Sequence, residues 1–297
     1  MEWLWLSVKW QIIAQTKSRL HILEKAGIEQ IMNNVSALPD SVLAFPNMGQ
    51  WQKTKASQRD NFFTLGAKGV DARLQGGLPR AALHEIFAGK SDDVATASAF
   101  ALLLALRLPE PKGKIFWIAE EKQDRVSGRL YPPGLADFGF DPAAMILVRT
   151  ANLLDSLRAA ADTSRSKAAS AVIMEAHGGA RMIDLTSTRR LSLAAANNGV
   201  LALLLRVDAM PVPSAASSRW QIRSAPSEAL PVSAPGLPTF DISLLRHRGG
   251  LAPFEARVSW DHERQIFHDA PLSGGLSAAV PGRKADPDTH SHQGATA

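Results

Sequence analysis

The sequence contains no cysteine, which excludes disulfides, thiolate metal sites and cysteine nucleophiles. That suits a reducing compartment, and a cytoplasmic location is the expectation. No run reaches the roughly 18 apolar residues that a membrane span requires. The opening stretch "MEWLWLSVKWQIIAQTKSRL" is interrupted by Glu2, Lys9 and Gln11, so it is too charged for a secretory h-region. A strong charge of either sign is also missing. The net charge is +5 over 297 residues, an excess compatible with a nucleic-acid or nucleoprotein partner but shared by many ordinary proteins. There is no internal repeat. What is present is 45% hydrophobic and 21% charged residues, the balance of a soluble globular protein with a real core.

The chain divides into five stretches. Over residues 1–32, Trp3, Leu6, Trp10, Ile13, Leu20 and Leu23 recur at steps that place them on one helix face. Residues 33–63 hold no period and read as a linker. Residues 64–210 alternate short apolar strands with helices, which implies an α/β core with a mostly parallel sheet flanked by helices. Its segments are "ALHEIF", the helix from Val94 to Leu108, "GKIFWIAEE", an amphipathic helix with Leu154, Leu157 and Ala161 on one face, "SAVIMEAHGG", a helix closed by Asn198-Gly199, and "VLALLLRVDA". Residues 211–270 are a proline-rich loop followed by a C-terminal β-hairpin around Arg248-Gly249-Gly250. Residues 271–297 lack apolar periodicity and read as a disordered tail.

Gly89-Lys90-Ser91, between a strand and a helix, has the layout of a phosphate-binding loop. A working loop is G-x-x-x-x-G-K-[ST], whose backbone N–H groups wrap the phosphates while Lys and Ser/Thr reach phosphate and magnesium. Here the first glycine is replaced by His84, and the intervening "EIFA" is the end of the strand itself. Residues paired in a sheet cannot form a cradle, so the loop is degenerate. Ser91 with Asp92 and Asp93 instead reads as a hydroxyl N-cap and an acidic first turn. No catalytic residue and no bound cofactor or metal is expected. Lys90 reads as a surface lysine.

Other chemistry-bearing residues have mostly bland readings. Adjacent Glu120 and Glu121 point in different directions at a strand end and read as a solvated terminus. His177, before Gly178-Gly179, sits where open α/β sheets place ligands, yet it has no evident nucleophile or metal partner and reads as a polar loop histidine. His268 and the "HSH" at 290–292 read as adventitious metal binders at most. Arg246 and Arg248 on the hairpin, with Arg219 and Trp220 in the preceding loop, carry interface chemistry that also suits stacking on single-stranded DNA. A structural aromatic with solvated arginines is the competing reading.

The order of "GGLPRAALHEIFAGKSDD", "IFWIAEE", "AVIMEAHGG", "VLALLLRVDA", "SSRWQI" and "LLRHRGG" resembles the ImuA family, whose core is RecA-like. The resemblance runs from about Thr64 to Phe267. It implies a non-catalytic RecA-like adaptor of the bacterial damage-induced mutagenesis machinery, in the SOS response and translesion synthesis. The implied partners are an ImuB-like Y-family polymerase homologue, an error-prone replicative-type polymerase and RecA, with DNA touched indirectly and no membrane. Glu175 then falls near the Walker B aspartate of RecA-type cores and Glu121 near their catalytic glutamate. Two alternatives stand beside this: an active RecA-type DNA-binding ATPase using Lys90, Ser91, Glu121 and Glu175, and a SulA-like inhibitor of cell division.

Overall fold

The computed structural model describes residues 61–271 except 110–112, 126–127, 180 and 229–235. The readings made for residues 1–60 and for the tail from 272 lie outside the described residues. A nine-stranded sheet runs in the order β11-β10-β9-β8-β3-β7-β6-β4-β5. Its central strand is β3 (Leu83–Ala88). β7 (Leu201–Val207), β6 (Ala169–His177), β4 (Lys114–Glu120) and β5 (Met145–Thr150) follow on one side, all parallel. The α/β class expected from the alternation of segments is therefore observed.

On the other side β8 (Ser218–Ser224) is parallel to β3 and antiparallel to β9 (Thr239–His247). β10 (Phe254–Asp261) and β11 (Ile266–Ala270) continue that side antiparallel. The expected hairpin is thus β9–β10, but it is no appendage, because β8 joins it to the core sheet. "SRWQIRS" alternates buried and half-buried residues, the period of a strand with both faces in use. The prolines on either side of it hid that period. A two-stranded ribbon pairs β1 (Phe62–Phe63) with β2 (Leu78–Pro79). The short α1 (Lys68–Arg73) lies between them in sequence.

Strand side chains alternate between the two faces. Ile86, Trp117, Ile173, Leu203, Leu205, Trp220 and Ile222 form one core with α2 (Val94–Leu106). That helix is apolar all round because strands and C-terminal elements enclose it, and Pro109 bars its continuation. Leu83, Ile118, Val172, Met174, Ala202 and Leu204 form the second core, under α4 (Leu153–Thr163) and α5 (Leu185–Asn198). A short α3 (Pro132–Asp137) precedes β5.

α5 starts at a capping box between Asp184 and Ser187 and ends on left-handed Gly199, φ 71°. In α4 the buried residues are Leu153, Ser156 and Ala160, and Leu154 is exposed, so the expected apolar face is one residue out of register. The reason is that serine serves as a core residue here. Ser156 Oγ bonds Thr150 Oγ1 at 2.7 Å, and Ser164 Oγ returns to the Ala160 carbonyl at 2.7 Å.

Candidate functional site

The carboxyl ends of the parallel strands are where an open α/β sheet accepts ligands. His84 to Ala88 are paired with β7 and β8, so the stretch that would wrap a phosphate is committed to the sheet. Gly89 follows directly, with its N–H donated to the Ile222 carbonyl at 2.8 Å. A Cβ at Gly89 would overlap Arg223 Cγ and press on Asp93 Oδ2, so neighbouring side chains already fill the loop position.

The hydroxyl N-cap expected at Ser91 is not formed, although Asp92 and Asp93 do lie in the first turn. Ser91–Asp93 make a 3-10 turn, and α2 begins at Val94 with no side-chain cap bond from Asp93. Ser91 Oγ donates instead to Asp208 Oδ1 at 2.8 Å. Asp93 is buried and accepts from Ser224 N at 2.8 Å and Ser224 Oγ at 2.9 Å. An acceptor just beyond β7 and two donors on β8 outcompete local capping. Lys90 is exposed, as expected.

Glu121 is exposed at the start of a 3-10 turn, Glu121–Arg125, whereas Glu120 is buried with Lys122 Nζ 2.9 Å from its Oε2. The two carboxylates do diverge, but only Glu121 is solvated. Glu175 is buried on β6, where it accepts from Trp117 Nε1 at 3.4 Å and is bonded to His177 Nε2 at 2.5 Å. His177 is therefore the last residue of a strand and half of a carboxylate–imidazole pair, not a solvated loop histidine. That pair sits at the carboxyl end of an interior strand, where it can orient a polar group. No cluster of three metal-ligating side chains occurs among the described residues.

Trp220 is fully buried on β8, a correction to its expected place as an exposed loop anchor. Its Nε1–H donates to Ser218 Oγ at 2.7 Å, and Ser218 Oγ lies 2.6 Å from His84 Nδ1. His84 Nε2 is 2.8 Å from the Pro79 carbonyl, which can only accept. Nε2 therefore carries the proton, and Nδ1 accepts from Ser218. Burial lowers the His84 pKa to about 4. The residue that breaks the phosphate motif thus ties β3, β8 and β2 together.

Arg219 is also turned inward, with Nε donating to Glu85 Oε2 at 2.8 Å. Ser214 Oγ donates to the same oxygen at 2.8 Å. Arg206 Nη1 is 3.8 Å from Glu85 Oε1, and the Arg206 and Arg219 guanidiniums lie 5.5 Å and 5.8 Å from the Phe87 ring centroid. Glu85 and Arg206 are essentially inaccessible, and burial lowers the Arg206 pKa. Sequence reasoning missed this cluster, although a lone charge inside each of "LHEIFA" and "LALLLRV" was its signal. Only Arg246 and Arg248 are exposed as expected, where β9 meets β8.

A mostly parallel sheet centred on a strand–turn–helix unit, with its own side chains at the phosphate-loop position, defines an α/β protein with a filled phosphate-loop site. Over 202 residues the chain is 33% identical to Protein ImuA of Caulobacter vibrioides, in strains NA1000 / CB15N and ATCC 19089 / CIP 103742 / CB 15. The match spans 63% of this chain and 79% of those proteins. The chain belongs to the ImuA family. Among solved structures, the RadB recombinase is similar at 14% identity with a TM-score of 0.47, over 70% of this chain and all of that one. No family model matches the chain.

Proposed function

We propose that the protein is a non-catalytic RecA-like adaptor in damage-induced mutagenesis. It would act beside an ImuB-like polymerase homologue, an error-prone polymerase and RecA, in the cytoplasm. Family membership supports the cellular role. One observation supports the lack of catalysis: Gly89 is packed against Arg223 and Asp93, while Ser91 and Asp93 are engaged by Asp208 and Ser224. A triphosphate would have to displace all of these contacts and would meet two carboxylates, Asp92 and Asp93, in the turn that leads into the helix.

Titration of the purified chain with a fluorescent ATP analogue in magnesium tests the reading, and no saturable binding is expected. Low-micromolar binding lost in Lys90→Ala would overturn it in favour of the ATPase. Expression that filaments cells without changing mutation rate would favour the division inhibitor instead.

A further inference from the structure

We propose that the outer surface of α4 and α5 is a docking face for an acidic amphipathic helix of a partner protein. The two helices cover the same sheet face between parallel strands. They run side by side, and their last turns meet. Arg165, Arg190, Leu193, Ala194, Asn197 and Asn198 line an open groove of about 380 Å³ there.

Along α5 the side chains of Leu185, Arg189 and Leu193 recur every four residues on one stripe. Leu185 and Leu193 are 54% and 52% exposed, and Leu154 on α4 is 43% exposed. Single exposed leucines are ordinary. Leu193 lines the groove itself, and Leu185 and Leu154 add exposed apolar side chains on the first turns of the same two helices, the composition of an interface face.

Charge selects the occupant. Arg158, Arg165, Lys167, Arg181, Arg189 and Arg190 stand on or beside these helices against Asp155, Asp162 and Asp184. The Arg158–Asp155 and Arg165–Asp162 contacts are exposed i,i+3 pairs, weak enough to be exchanged for a partner's carboxylates. Arg165 and Arg190 line the groove with Leu193, which fits a helix presenting an apolar anchor beside glutamates or aspartates. A nucleic acid would leave the leucines without contacts.

The chain's own remaining segments fit poorly. Residues 1–55 carry six basic and four acidic side chains, and residues 272–297 two of each. A second copy brings a net charge of +5. The face lies on the opposite side of the sheet from α2, so the proposal does not depend on the phosphate-loop reading.

The test uses the purified full chain and a fluorescein-labelled synthetic helix with leucines at i, i+4 and i+7 and glutamates between them. A peptide with lysines in place of the glutamates and an oligothymidylate serve as comparisons. The acidic peptide should bind saturably and the other two should not displace it. Arg165→Glu with Arg190→Glu should weaken it at least about tenfold and confer binding of the lysine peptide. Leu193→Asp should also weaken binding, with the melting curve unchanged because the side chain is half exposed. Four results would overturn the proposal: no binding of the acidic peptide, binding indifferent to the arginine reversal, displacement by the oligonucleotide, or self-association of the chain that Leu193→Asp abolishes.

Discussion

On the α2 face of the sheet, Phe100, Phe240, Phe267 and Trp260 meet at ring-centroid distances of 4.9 to 6.0 Å, and Trp260 Nε1 donates to the Phe138 carbonyl at 3.1 Å. On the α4/α5 face, the same sheet buries Glu85 between Arg206 and Arg219. The first face is stabilised by apolar area and ring geometry, which tolerate exchange for other apolar shapes of similar volume. The second depends on one carboxylate serving two guanidiniums. Glu85 Oε1 and Arg206 Nε and Nη1 have no hydrogen-bond partner among the described residues, so Arg206 relies on the Glu85 charge, and losing that centre is costly.

The largest expected effect separates these faces. Glu85→Ala leaves Arg206 buried and uncompensated and should cost about 3–5 kcal/mol in urea unfolding. Phe267→Leu should cost no more than about 1.5 kcal/mol. Replacing Glu85, Arg206 and Arg219 together with apolar residues of similar volume should recover most of the loss. If Glu85→Ala proves milder than Phe267→Leu, the contrast between the faces is wrong.

The α2 face can be probed with pH, because His84 lies on it with Ile86 and Trp220. His84 has a pKa of about 4 in the folded protein against 6.5 unfolded. Between those values the unfolded chain binds more protons, so stability rises with pH. The contribution is complete above pH 6.5 and is lost as pH falls towards 4, by about 3 kcal/mol. Urea midpoints at pH 7.5, 6, 5 and 4.5 should show that slope, and His84→Gln should flatten it. An equal slope in the variant would assign it to other groups.

What was legible in the sequence follows from which forces were local. Apolar runs marked β3, β4, β6 and β7, and Asn198-Gly199 marked a helix end, because both signals lie within a few residues of their effect. β8 was not legible, since its pairing with β3 spans more than a hundred residues and prolines flank it. Ser91 and Asp93 looked like capping residues, but Asp208, just past β7, and Ser224, on β8, claim their side chains from far along the chain. His84 was legible as the missing glycine, although its bond to Ser218 was not. Arg219 and Trp220 looked like surface chemistry because Arg-Trp in a proline-rich stretch gives no hint of Glu85 waiting inside.

A smaller effect tests the loop. Gly89→Ala presses against Arg223 Cγ and Asp93 and should cost about 1–3 kcal/mol, as overpacking does. Arg223 is 46% exposed, so adding Arg223→Ala should relieve most of that cost. If the double variant is no more stable than Gly89→Ala, Asp93 rather than Arg223 fixes the loop.

The smallest effect on stability carries the most information about function. Arg246→Ala with Arg248→Ala removes exposed charge, so unfolding should change by about 0.5 kcal/mol or less. Trp220→Ala, only a few residues away in the paired strands, should instead cost about 3–5 kcal/mol, because that ring is fully buried. Any loss of partner binding in the tryptophan variant would therefore report unfolding. Loss in the arginine pair would report contact, and a hot-spot loss of about 2 kcal/mol would weaken a complex roughly thirtyfold. Co-purification with the ImuB-like protein, measured for both variants at a temperature where each is folded, separates the two causes. Full binding by the arginine variant would move the contact off the β8–β9 corner, and α4 and α5 would be the next surface to substitute.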